Sequence, residues 1–216
     1  MADFIKLTGM DGYIEASRTQ IIKIDMGTPI LGDADGYLDD LDLTAVGVLE
    51  THGTVAIGLA AGTLAGTADV PRNVVAAWTG TAIMTVTGTD VYGVAMTEIS
   101  ASGTSLTGAK AFKTITDVSV SADVTAMSVG HGDVLGIPYV LTGEFDVVAF
   151  YADTTMEMLA STFVAAVATN PATSATGDVR GTVDPDTTLD GSVNYYLWMH
   201  VQDAKTDRGK YGVTQA

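Results

Sequence analysis

Three histidines, His52, His131 and His200, are the first candidates for chemistry, because imidazole both ligates metals and moves protons near neutral pH. No two are close in sequence and none belongs to a His-x-x-x-His pair. Zinc or iron ligation would therefore need the fold to gather distant residues. His131 lies in Gly130-His131-Gly132-Asp133, which reads as a loop carrying a solvated histidine, and His200 reads as a strand-face residue beside Trp198. No serine sits in a Gly-x-Ser-x-Gly elbow, and no Gly-x-x-x-x-Gly-Lys-Ser/Thr loop occurs among the many glycines. The chain has no cysteine, which excludes disulfides, thiolate zinc sites and a cysteine nucleophile. Carboxylates are plentiful, but a glycosidase pair needs a cleft with aromatic platforms, and aromatic residues make up only 7% of the chain with nothing marking such a cleft. Two acidic stretches invite calcium: Asp33-Ala34-Asp35-Gly36 with Asp39, Asp40 and Asp42, and Asp184-Pro185-Asp186 through Asp190-Gly191. Neither has the twelve-residue spacing of an EF-hand loop, and Asp-Gly and Asp-Pro are ordinary turn formers. The expectation is a protein that is not an enzyme, with no catalytic, cofactor-binding or metal-binding residues and no cofactor.

The bulk composition narrows the partners. With 216 residues, 47% of them hydrophobic and 17% charged, the chain can bury a core and is too apolar for a disordered one. Ten Lys and Arg against 26 Asp and Glu give a formal net charge of −16, which repels nucleic acid. The N-terminus, Met1-Ala2-Asp3-Phe4-Ile5-Lys6, lacks the basic and then apolar pattern of a signal peptide. The helix-like apolar stretch from Met158 to Ala168 is too short to span a bilayer. No membrane association and synthesis in a cytoplasm are expected.

The elements that would carry any site are strands. Residues 1–43 stand apart: Ile21, Ile22, Ile24, Ile30 and Leu31 form short apolar clusters broken by Gly27, Pro29, Gly32 and Gly36. This reads as an extended arm with one short strand, Gln20 to Met26, whose five apolar residues are the candidate interface with a neighbouring chain. The alternative is an edge strand added to its own domain. From Thr44 the pattern changes. Val55, Ile57 and Leu59 alternate with small or polar residues, and Val70 to Trp78 is a second run. Ala82 to Thr87 and Val94 to Ile99 flank Gly88-Thr89-Asp90-Val91-Tyr92-Gly93 as a hairpin. Phe112, Thr114, Thr116, Val118 and Val120 line one face of a long strand, Phe145 to Tyr151 is another, and Val193 to Val201 alternates throughout. Trp78, Phe112, Phe145, Tyr195 and Leu197 are the expected core. Thr154 to Ala168 is ambiguous: Thr154 and Glu157 have capping-box spacing, but the all-β surroundings favour a strand over Ser161 to Ala168. The predicted fold class is all-β, a β-sandwich or jelly-roll-like domain over 44–202, between the arm at 1–43 and a tail at 203–216.

Several phrases, in order, carry a resemblance. They are Val70-Pro71-Arg72-Asn73-Val74, Val86 to Gly93, Met96-Thr97-Glu98, Gly108 to Ile115, Val129 to Tyr139, and Asp178-Val179-Arg180-Gly181-Thr182 followed by Leu189-Asp190-Gly191. Over about residues 70–191 the chain resembles head decoration, or cement, proteins of tailed phages with HK97-type capsids. That resemblance implies a virion structural protein on the capsid exterior. It would be a homotrimer whose partners are the major capsid protein and its own copies. A trimeric tail-fibre or receptor-binding module is the alternative.

Overall fold

The computed structural model describes residues 19–43, 66–167 and 177–202. The expected strand around Val55 to Leu59, His52 and the tail at 203–216 lie outside the described residues. Strands β1 (Thr19–Gly27), β2 (Asp33–Leu43), β3 (Gly66–Ala82), β4 (Met84–Thr89), β5 (Ala95–Ile99), β6 (Gly103–Val120) and β7 (Val124–Gly136) come first. After a 3-10 turn at Glu144–Asp146 follow β8 (Val147–Ala152), β9 (Thr155–Met156), β10 (Thr162–Val164), β11 (Thr182–Asp184) and β12 (Tyr195–Gln202). Among the described residues there is no α-helix. The fold is all-β, as the Thr, Val and Gly content predicts.

Two sheets share the strands. The smaller has the order β1-β12-β8-β9; the larger runs β10-β11-β7-β3-β6-β4-β5, with β2 on the outer side of β7. The larger sheet curls around its own core of Val74, Trp78, Met84, Val86, Met96, Phe112, Ile115, Met127 and Val129. A second core joins the sheets: Met26, Phe150, Tyr195, Leu197 and Met199 from the small sheet meet Leu135 and Val183 from the large one. Phe112 is 2% exposed. Replacing it by Ala is expected to cost about 3–5 kcal/mol, through lost burial and the cavity left behind. A loss under about 1 kcal/mol in urea unfolding would contradict that placement.

Four expectations need correction. The described part of the arm is not free-standing: β1 pairs antiparallel with β12, and β2 pairs with β7. Ile22, Ile24 and Met26 point at the second core, so β1 has a buried face, and Pro29 and the glycines turn the chain from one sheet to the other. Phe145 is 98% exposed. Asp146 accepts hydrogen bonds from Thr142 N–H and Oγ at 2.7 Å each, which holds the chain in the 3-10 turn and delays β8 until Val147. The face predicted for β6 does not persist, because the pairing steps from Thr87–Asp117 to Gly88–Ile115 and skips Thr116. This bulge swaps the alternation, so Ile115 is buried and Thr116 exposed. Finally, His131 is a buried β7 residue rather than a loop residue. It sits beside Gly130, where an added Cβ would overlap Asp33 O of the crossing β2.

Beyond β8 neither rival reading of Thr154 to Ala168 holds in full. The segment makes β9, an exposed turn carrying Leu159, and the short β10.

Candidate functional site

A β-sheet interior has little use for charge, so buried ionic side chains are where a site is sought. On β3, Arg72 is 1% exposed. Its Nε donates to Asp69 Oδ1 at 2.7 Å and its Nη2 to Asp69 Oδ2 at 2.8 Å, a two-pronged pairing. The same guanidinium donates to Ile30 O and to Gly132 O, and lies 3.4 Å from His131 Nδ1. Asp69 Oδ2 also accepts Ile30 N–H at 2.9 Å. Burial pushes Asp69 up, but the Arg72 bonds and the N–H groups of Ile30 and Val70 outweigh it and hold the acid below its usual value. Burial, then the adjacent Arg72 charge, lowers His131, so the imidazole is neutral near pH 7. Tyr37 packs its ring 5.5 Å from that imidazole, and burial pushes its phenol up to about 12. The bonds to Ile30 tie the β1–β2 connection to β3, and the bond to Gly132 O ties β3 to β7, which is a fastening role.

A second group lies beyond β6. Arg180 Nη1 donates to Asp90 Oδ2 at 2.6 Å, with both side chains almost fully buried. Asp90 Oδ1 accepts Tyr92 N–H and Val94 N–H, closing the β4–β5 loop. Tyr92 lays its ring 4.8 Å from the Arg180 guanidinium and donates its hydroxyl to Pro138 O. Next to this pair, Glu98 of β5 accepts Ala109 N–H, and Asp178 accepts Ala111 N–H. The residue between those two donors is Lys110, 0% exposed.

Two small concave surfaces lie among the described residues. A groove of about 130 Å³ is lined by Ile24, Met26, Val70, Pro71, Val91 and Pro138, among others. Small-molecule sites run to roughly 300–1,000 Å³, so this groove suits a side chain rather than a substrate. The exposed apolar side chains are more distinctive. Phe145 is 98% and Leu159 96% exposed, and Val148 and Met156 between them are 40% and 59% exposed. All four belong to β8, β9 or their flanking turns, along one margin of the small sheet. Across the outer face of that sheet, Tyr151, Tyr196 and Trp198 line up through the pairings Tyr196–Tyr151 and Lys23–Trp198, with Lys23 Nζ 3.7 Å from the centre of the Tyr196 ring.

The five residues singled out from sequence divide. Ile22 and Ile24 pack against the second core, whereas Ile21, Ile30 and Leu31 are each more than half exposed. The second acidic stretch is occupied by its own turn, and the first lies within β2. Asp190 Oδ1 accepts Ser192 N–H, Ser192 Oγ and Val193 N–H, and Asp33 lies in β2. Among the described residues no three His, Asp or Glu side chains gather as a metal-ligand set. Sequence reasoning assigned no role to the buried ionic residues Arg72, Asp90, Glu98, Lys110, Asp178 and Arg180. A charged residue flanked by Gly, Ala or Val within a strand pattern, as in Gly108-Ala109-Lys110-Ala111, is the signal that marks them. Comparison of the chain with family models, with curated proteins and with solved structures gives no match.

Proposed function

We propose that this chain is a virion structural protein, a decoration protein that binds the outside of a tailed-phage head as a homotrimer and reinforces contacts between major capsid protein subunits. The observation that carries the reading is the apolar margin of the small sheet. Phe145, just before β8, and Leu159, just after β9, stand almost wholly in solvent, and large exposed apolar side chains on one sheet margin suit a protein partner. The buried ionic groups support the same reading, since their bonds fasten strands together. Strand β1 adds a nine-residue edge, on which Ile21 is exposed, that another chain's strand can extend.

The outer aromatic face favours one second reading. Tyr151, Tyr196 and Trp198 form a platform of the kind that stacks on a sugar ring, which suits a receptor-binding module at the tail. Immunogold labelling of purified phage particles that carry this gene separates the two. Label on heads supports decoration, label at the tail tip supports receptor binding, and unlabelled particles overturn both. At the residue level, Phe145→Ser combined with Leu159→Ser is expected to leave the unfolding free energy within about 0.5 kcal/mol per site, as for exposed positions generally. The same variant should lose head occupancy at least tenfold. Wild-type occupancy would remove this margin from the interface.

A further inference from the structure

Lys110 is fully buried in β6, with a carboxylate at the backbone on either side of it. Ala109 N–H donates to Glu98 Oε1 at 2.6 Å, and Ala111 N–H donates to Asp178 Oδ2 at 3.1 Å. The lysine amine interacts electrostatically with both acids. The two carboxylates are not equivalent. Asp178 is held through both oxygens, Oδ1 accepting Arg180 N–H at 2.8 Å. Glu98 keeps one oxygen free: Oε2 is buried without a hydrogen-bond partner. It rests against Gly108, where an added Cβ would come within 2.6 Å of it. Glu98, Lys110 and Asp178 are 4%, 0% and 6% exposed, so the cluster is dry.

We propose that, once the chain has folded, Lys110 and Asp178 condense into an intramolecular isopeptide bond, with Glu98 relaying the protons. Lys110 Nζ is the nucleophile and Asp178 Cγ the electrophile. The Nζ–Cγ bond forms and one Cγ–O bond breaks. Glu98 Oε2 takes a proton from the attacking nitrogen and returns one to the departing oxygen, which leaves as water. An ammonium and a carboxylate thus become an amide and a water, with no change of oxidation state and no cofactor. The Ala111 and Arg180 N–H groups already face the carboxylate oxygens, where charge develops in the tetrahedral intermediate. Burial favours each role. It lowers the amine's proton affinity against the pull of the two acids, and pushes Glu98 up to about 7 against the backbone N–H groups of Ala109 and Lys110 and the lysine charge. A carboxyl near 7 both gives and takes protons at neutral pH. Holding the partners in a dry interior replaces a slow encounter in water by a positioned one. The bond would staple β6 to the 177–181 segment in a chain that has no cysteine.

Mass spectrometry of the purified full-length chain under denaturing conditions tests this. The expected mass is below the sequence value by about 18 Da, one water. A protease digest should yield a branched peptide joining Lys110 to Asp178. Dehydration of an Asp-Gly pair gives the same mass change without the branch, and that result would overturn the proposal. So would a wild-type chain at its full sequence mass, a measurement that needs no variant to fold. Asp178→Ala and Lys110→Arg should each stay at full mass. Glu98→Gln should cross-link at least a hundredfold more slowly in a time course after refolding, and cross-linking at the wild-type rate would remove Glu98 from the chemistry.

Discussion

Arg180→Ala is expected to lower the unfolding free energy by about 3–5 kcal/mol, the cost of leaving one member of a buried ion pair without its counter-charge. Three features set that scale. Asp90 and Arg180 are 2% exposed each, so water cannot replace the lost partner. The contact is short, 2.6 Å from Nη1 to Oδ2. The guanidinium also packs on Tyr92, so truncation removes apolar contact along with charge. The double variant Arg180→Met with Asp90→Asn separates these contributions. Asparagine keeps the Oδ1 acceptor that closes the β4–β5 loop through Tyr92 and Val94, while both charges disappear. It should recover more than half of the loss, because a buried pair contributes little net stability over a well-packed neutral replacement. Urea unfolding with unchanged m values checks both numbers. A single variant that loses less than about 1 kcal/mol would mean that Asp90 is hydrated, contrary to its burial.

The strands were legible because period-two alternation survives wherever a strand has one buried face. Tyr195, Leu197, Met199 and Val201 all point inward, as their spacing predicts, and the β4–β5 hairpin lies where Asp90 and Gly93 mark a turn. What could not be read was long-range. The bulge at Thr116 exists only in relation to β4, so β6 alone gives no sign of the swap of faces beyond it. Ile21 and Ile22 are adjacent isoleucines, yet only the pairing of β1 with β12 decides which one faces the core. Phe145 looked like a core residue by type, and the hydrogen bonds that Thr142 donates to the neighbouring Asp146 carboxylate turned it outward. The buried ionic residues were hidden for a different reason. Each is charged, and charge predicts a solvated surface unless a partner is known; Asp90 and Arg180 are ninety positions apart. All six of these residues nevertheless fall inside the phrases Val70 to Val74, Val86 to Gly93, Met96 to Glu98, Gly108 to Ile115 and Asp178 to Thr182. Those phrases were singled out as turn-and-strand patterns, and what they share in the fold is a buried charged side chain.

Stability should fall as pH rises from 4.5 to 7 by about 3 kcal/mol through Glu98 alone, at about 1.36 kcal/mol per pKa unit. Burial raises this carboxyl in the folded chain from its ordinary 4.5 to about 7, against the pull of the Ala109 and Lys110 N–H groups and the Lys110 charge and with the help of Asp178. Between those two values the folded state holds a proton that the unfolded state has released. Raising the pH then favours unfolding, so the contribution is complete below 4.5 and gone above about 7. Other groups act in the opposite direction. His131 has a lowered value, so its contribution grows as pH rises through its ordinary 6.5, and Asp69, held low by Arg72, loses its contribution only in acid. The measurement is therefore a difference: urea unfolding of wild type and of Glu98→Gln at several pH values from 5 to 8. Glutamine imitates the protonated acid and cannot ionise, so His131 and Asp69 cancel. The gap between the two proteins should widen with pH in favour of the glutamine variant. An isopeptide bond at Lys110 present in only one of them adds a constant offset without changing that slope, since burial, the largest cause of the raised value, persists with or without the bond. Parallel stability profiles across this range would show that Glu98 ionises in the folded chain as it does in water, and that the β5–β6 junction is open to solvent.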